Sequence, residues 1–254
     1  MMAGVGLFAY LWLHSNPSPL APSVAVQRFR QGERTHDPAG GPGPSRGIYL
    51  YRGSGTETIS VPPKSLTEGP GFPGTVADRP GGCFDFRLDF SDAHWQSWTY
   101  CLRNGALVTS SKAGYYLWDF VAFSVDDTST FTCSPAGVTI PARIVVGTHD
   151  TVSCTGKNDH LSIGPVYMKG TSTVVATKTL RVGTISVPAV RVREKVDFTG
   201  GQKGTNETDT WFSVAAGLPL RGTWSTVVST PSPVGNSTLH ASGDFTLEST
   251  TPQR

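Results

Sequence analysis

Charge is scarce in this chain. Only 16% of its 254 residues are Asp, Glu, Lys or Arg, and 21 basic against 19 acidic side chains leave a net charge of +2. No basic run stands out, so the electrostatic footprint of a nucleic-acid binder is missing. Long stretches of the helix formers Ala, Leu, Glu and Lys are also missing. No apolar run reaches the roughly 20 residues that a membrane-spanning helix takes. No C-x-x-C, H-E-x-x-H or phosphate-loop sequence occurs, which removes the usual zinc and nucleotide signatures. The histidines (His14, His36, His94, His149, His160 and His240) are scattered, and none stands at a metal-ligand or triad spacing. The sequence nominates no catalytic residue, no metal ligand and no cofactor.

What is present is turn chemistry and β-formers. Gly (29) and Pro (19) are frequent, and Thr, Ser and Val run throughout. That is the composition of an all-β protein with many turns. The stretch "GGCFDFRLDFSDAHWQSWTYCL" is the most informative. Phe84, Phe86, Leu88 and Phe90 alternate with Asp85, Arg87 and Asp89, the period of a strand with one buried face. After a tip at Ser91 to Ala93 the alternation resumes with Trp98, Tyr100 and Leu102. Folded as an antiparallel hairpin, one register sets Cys83 against Cys101, Phe84 against Tyr100, Asp85 against Thr99 and Phe86 against Trp98. Aromatic cross-strand pairs add roughly 0.2–1 kcal/mol each, and a slip by one residue would turn the aromatic face to water. Cys83–Cys101 is therefore expected as a cross-strand disulfide, and Cys133–Cys154 as the second. An even cysteine count of this kind suits an oxidising compartment.

Asp85 and Asp89 share a strand face around Arg87 and read as a solvated charged face, not a glycosidase pair. Asp126 and Asp127 read as a turn. The sequons at Asn206 and Asn236 read as turn chemistry. The aromatic runs around Trp95, Trp98 and Tyr100, and around Tyr115, Tyr116 and Trp118, are the one feature with binding potential.

Residues 1–14 hold the apolar run "AGVGLFAYLWL", expected as a short helix belonging to a truncated membrane anchor or signal, or else a short apolar tail. Residues 15–46, rich in Pro and Gly, read as a linker without secondary structure. Residues 47–254 read as one β domain. In its second half Val190, Val192, Val196 and Phe198 share one face, and Arg191, Arg193, Lys195 and Asp197 the other, as in an antiparallel sheet with one dry side. The expected fold is mainly β, one large curved antiparallel sheet or half-barrel of about ten strands. "GIYLYRGSGTETISV" is expected to bend at its Gly-Ser-Gly, "PPKSLTEGPGFPG" to be loop, and "ALVTSSKAGYYLWDFVAFSV" to split near Ala113-Gly114.

The C-terminal half resembles uncharacterised exported or membrane-anchored proteins of actinobacteria. The matching pattern is V-G-x-x-x-V-P-A-V-x-V (Val182, Gly183, Val187 to Val190, Val192), then Trp211, Gly217, Leu218 and Arg221, and a Glu248, Ser249, Pro252, Arg254 ending. It departs from them in lacking an Asp or Asn before the turn in "WFSVAAGLPLR". More distantly the strand pattern resembles periplasmic lipoprotein carriers and mycobacterial lipid-binding lipoproteins. The resemblance implies a non-enzymatic extracytoplasmic domain, membrane-anchored or secreted. It would hold a lipid or other apolar ligand on the concave side of its sheet, at Phe84, Phe86, Trp98 and Tyr100. The alternatives are a structural or interaction domain of the envelope with a filled core, and a carbohydrate-binding module using exposed aromatics.

Overall fold

The computed structural model describes residues 17–33, 43–120, 123–232 and 235–254. The apolar segment 1–14 lies outside them. A helix, α1 (Pro22–Glu33), precedes β1 (Gly47–Ser60), β2 (Pro63–Glu68), β3 (Gly71–Arg79), β4 (Cys83–Asp89), β5 (His94–Arg103) and β6 (Ala106–Phe120). There follow β7 (Phe123–Ile140), β8 (His149–Asn158), β9 (Val166–Val182), β10 (Ile185–Gly200), β11 (Lys203–Ser213), β12 (Pro219–Ser232) and β13 (Gly235–Leu247). From β3 onward each strand pairs antiparallel with the next, and β13 pairs back onto β1. The sheet thus closes into a 12-strand barrel rather than a half-barrel of about ten strands. Closure follows from the pattern: a long sheet with one dry face hides that face and loses its free edges when it curls onto itself.

The remaining strand, β2, is the start of the same line as β3. Residues 55–60 of β1 pair with β2 and residues 47–52 with β3 in one unbroken register. The interruption falls at Gly69-Pro70, where proline has no N–H to give the ladder. The segment expected as loop is therefore strand, and its prolines mark the break and the strand start.

The expected bend in β1 is also absent. Its glycines answer a packing need, not a turn. A Cβ on Gly55 would stand 2.7 Å from a carboxylate oxygen of Glu68 and 3.2 Å from the Trp224 ring. Likewise β6 runs straight through Ala113-Gly114.

The hairpin register holds residue for residue, with Cys83 opposite Cys101, Phe84 opposite Tyr100 and Phe86 opposite Trp98. Both disulfides are formed, Cys83–Cys101 joining β4 to β5 and Cys133–Cys154 joining β7 to β8. No free cysteine remains. Alkylation of the denatured, unreduced protein should accordingly label no thiol by mass. Two or four labelled thiols would contradict the pairing.

The aromatic face points into the barrel. Tyr49, Tyr51, Phe72, Phe84, Phe86 and Leu88 form the centre of a core that fills one end, with Leu218 packed among them. The other end carries the 61–62, 159–165 and 201–202 turns and stays partly open. A closed barrel of eight strands is filled by its own side chains, and a larger one leaves room.

Helix α1 falls in the stretch expected as linker. Pro22 suits the first turn, where its missing N–H goes unneeded. Leu20, Ala25 and Phe29 are buried against Ile48 on the outer face of β1. Arg30 donates to the Arg254 carbonyl, tying α1 to the C-terminus. No helix among the described residues is long and apolar enough to cross a membrane.

Candidate functional site

Three of the four aromatic side chains expected at a ligand face border internal space. Phe86, Trp98 and Tyr100 line an inner chamber of ≈ 60 Å³. Phe84 lies deeper in the filled end and lines no chamber. Trp98 also borders an outer chamber of ≈ 200 Å³ that opens toward the turn end. Strand β1 and every strand from β5 to β13 contribute to that outer wall. Tyr116, Trp118, Phe131, Met168, Phe198 and Leu239 make it largely apolar, and Asn206, Thr208 and Thr226 add polar groups.

Between the chambers stands an ion pair. The Lys112 ammonium of β6 meets the Glu194 carboxylate of β10, and both side chains are nearly buried. Strands β7, β8 and β9 separate β6 from β10 in the wall, so the pair bridges the lumen rather than joining neighbours. Lys112 and Glu194 line both chambers, as do Gln96, Trp98 and Thr208. Burial pushes the Tyr100 hydroxyl far above its ordinary pKa, and the Glu194 charge adds to that. Trp224 also lines the inner chamber, and its buried indole N–H has no hydrogen-bond partner among the described residues. Buried donors without partners are uncommon.

Sequence reasoning passes over this pair. Glu194 sits on the dry face of β10 between Val192 and Val196, and Lys112 lies in a mixed polar stretch of β6. A single charge in an alternating strand has no signature until closure brings its counterion across the lumen.

A second buried cluster lies where the wall has a seam. Strand β2 pairs only with β1, and the end of β6 stands beside it without a ladder. Side chains close the gap. Leu66 packs with Trp118 and Phe120, and the Lys64 ammonium donates to the Asp119 carbonyl. Behind them Nδ1 of His94 lies 2.5 Å from Glu57 Oε1 and 2.6 Å from Glu68 Oε1. All three side chains are about 2% exposed or less. The imidazole is held flat between Phe90, with centroids 4.6 Å apart, and Tyr116, at 4.1 Å. Its other nitrogen faces the Gln96 amide at 3.3 Å. Burial opposes charge on the His94 ring, but Glu57 and Glu68 outweigh it and hold its pKa up at about 10. Burial raises Glu68 to about 7 against the pull of His94.

The outer face is less solvated than expected. Asp85 bonds Arg79 and Thr99, and Asp89 bonds Arg87 but is buried rather than solvated. Trp118 is buried, and Trp95 stacks beside Tyr115 with the Arg87 guanidinium 4.2 Å above its ring. Asp127 is no turn residue but a buried acceptor in β7. It takes the N–H groups of His160 and Leu161 and the Asn158 amide, which fixes the loop at the open end. Asn206 points into the lumen and accepts from Thr226.

No protein-family model, no curated protein and no solved structure matches this chain.

Proposed function

We propose that this protein is a non-enzymatic, extracytoplasmic binding module that takes a small amphipathic molecule into its barrel. The observation that carries the reading is the lumen itself, an apolar outer chamber of ≈ 200 Å³ ending at the Lys112–Glu194 pair. Ligand sites are commonly concave and mostly apolar, with a few placed polar groups. The two disulfides support an oxidising compartment. The resemblance to exported proteins and the apolar N-terminal segment, as an anchor or signal, point to the same place.

Size narrows the ligand. A cavity of about 150 Å³ accommodates one benzene-sized ring. The outer chamber therefore suits a short chain or a compact ring system, and a whole two-chain lipid would exceed it. The head group would meet Lys112 if anionic or Glu194 if cationic. An acceptor reaching the inner chamber could take the Trp224 N–H.

Native mass spectrometry of protein purified from its own host, followed by solvent extraction, tests the reading. A stoichiometric small adduct is expected. Lys112→Met should weaken the binding of a medium-chain carboxylate about tenfold or more, the scale of one charged hydrogen bond. A lumen that carries no adduct, and that takes up no amphiphile from a panel of anionic and cationic probes, would favour the structural envelope domain instead.

A further inference from the structure

We propose that Glu57, Glu68 and His94 form a binding site for a divalent transition-metal cation of the zinc or manganese type. The three side chains come from β1, β2 and β5 and offer ligand atoms all within 4.8 Å of one another. The set consists of one imidazole nitrogen and two carboxylates. Imidazole with carboxylate suits zinc, manganese and ferrous iron, whereas calcium and magnesium favour shells of oxygen alone.

The present bonding leaves this cluster short of a partner. Nδ1 carries one hydrogen at most, and its bond goes to Glu68 Oε1. Glu57 Oε1 lies as close to the same nitrogen yet makes no hydrogen bond, and Glu68 Oε2 has none either. One buried oxygen on each carboxylate is thus unsatisfied. A cation there would be met by Nδ1 and by both carboxylates. With the imidazole neutral, the two carboxylates supply −2, which a divalent ion balances without further charge.

The surroundings resemble those of a metal-ligating histidine. The ring plane is locked by Phe90 and Tyr116, and Nε2 lies 3.3 Å from the Gln96 amide nitrogen. With Nδ1 on a metal, Nε2 would carry the hydrogen, and the Gln96 amide would turn its oxygen to accept it, the kind of partner that orients most such ligands. The place in the fold gives the ion a task. It would clip β1 and β2 to β5 across the seam where no backbone ladder runs. The inference stands independently of the ligand in the lumen, since none of the three residues lines either chamber.

The full chain, stripped with chelator, should be titrated with zinc chloride, manganese chloride and cobalt chloride. Each should be added to the folded protein and also during refolding from concentrated guanidinium with disulfides intact. One equivalent of zinc or cobalt is expected to bind and to raise the melting temperature. Glu68→Gln and Glu57→Gln should each weaken binding about a hundredfold or more. X-ray absorption of the zinc-loaded wild type should show a single imidazole with oxygen neighbours, a readout that does not depend on any variant folding. Absence of stoichiometric binding by both routes would overturn the site. So would a coordination shell with two or more imidazoles, which would place the ion on exposed histidines, or binding unchanged in both glutamine variants.

Discussion

Truncating Phe86 to Ala should lower the stability of the barrel by ~3–5 kcal/mol, the usual cost of removing a buried aromatic side chain. Phe86 is 1% exposed. It stacks on Trp98 with ring centroids 5.8 Å apart and meets Tyr51 edge-on at 5.9 Å. Its neighbour on β3, Gly74, has no side chain for a reason: a Cβ there would stand 2.5 Å from the Tyr51 ring and 3.2 Å from Phe86. The packing around Phe86 is therefore fixed on three sides and cannot collapse into the gap. The fourth side borders the inner chamber, so the cavity would merge with the lumen. Trp98 differs. It is half-buried and borders both chambers, so Trp98→Ala should cost less stability and disturb ligand uptake more. Equilibrium unfolding in denaturant, with disulfides kept intact, measures both. A loss below about 1 kcal/mol for Phe86→Ala, or a larger loss for Trp98→Ala, would show that the filled end of the barrel lies elsewhere. The comparison matters because the aromatic face of this hairpin serves two ends at once: Phe84 and Phe86 as core, Trp98 as wall.

The same hairpin shows how far the sequence can be read. Strict alternation from Phe84 to Phe90, a short polar tip and a renewed alternation to Leu102 leave one register, and a cysteine pair agrees with it. Those signals are local, so they survive without knowledge of the fold. Closure is not local. The pairing of β1 with β13 joins Tyr51 to Leu247, and no pattern in either strand announces it. That is why a half-barrel of about ten strands is the natural expectation, and why Glu57 goes unnoticed. In "TETIS" it is a lone charge two residues before Ile59, with no partner in sight along the strand. Only the closed ring, with Glu68 and His94 brought to the same point, makes it buried. The Lys112–Glu194 pair has the same origin.

Proline and glycine mislead in a related way. They read as punctuation at 53–55, 62–74 and 113–114, yet most of these positions lie inside strands. Gly55 leaves space for the Trp224 ring and Gly74 for Tyr51, so absence of a side chain there is a packing device. Pro70 interrupts a ladder without turning the chain. Helix α1 is hidden for the opposite reason. Its apolar residues are few, and Ala25, Val26 and Phe29, with Leu20 before it, pack on the barrel. So short a stripe carries too weak a period to stand out from the flanking prolines.

Stability should fall as pH rises across neutrality when the protein is kept free of metal by chelator. Glu68 and His94 both bind their protons more tightly in the folded barrel than in the open chain. The Glu68 contribution is in full force below its usual 4.5 and disappears as pH passes about 7. The His94 contribution is in full force below 6.5 and disappears as pH passes about 10. Every tenfold gain in proton affinity on folding is worth about 1.4 kcal/mol. Across pH 5 to 10 the combined loss should be on the order of a few kcal/mol, a large share of a typical domain's stability. The groups facing His94 are Glu57 from β1, Glu68 from β2 and Tyr116 from β6, whose hydroxyl is itself driven up by burial and by the two carboxylates. Tyr49, raised to about 12, acts in the same direction only beyond this window. At the acid end the sign reverses. Asp209 is buried enough to be raised, but bonds from Arg191 and Arg193 hold it below 3.8, so its contribution is lost as pH falls through that range. The melting temperature should therefore peak on the mildly acidic side of neutral and decline steadily toward alkaline pH. Glu68→Gln, which removes one titrating member and one of the two carboxylates that hold the His94 proton, should flatten the limb between pH 5 and 7 and also shrink the later decline, leaving the part that Glu57 sustains. A melting temperature that is level or rising from pH 5 to 9 in the wild type would mean that this seam does not hold its protons, and that the cluster closes the barrel by packing alone.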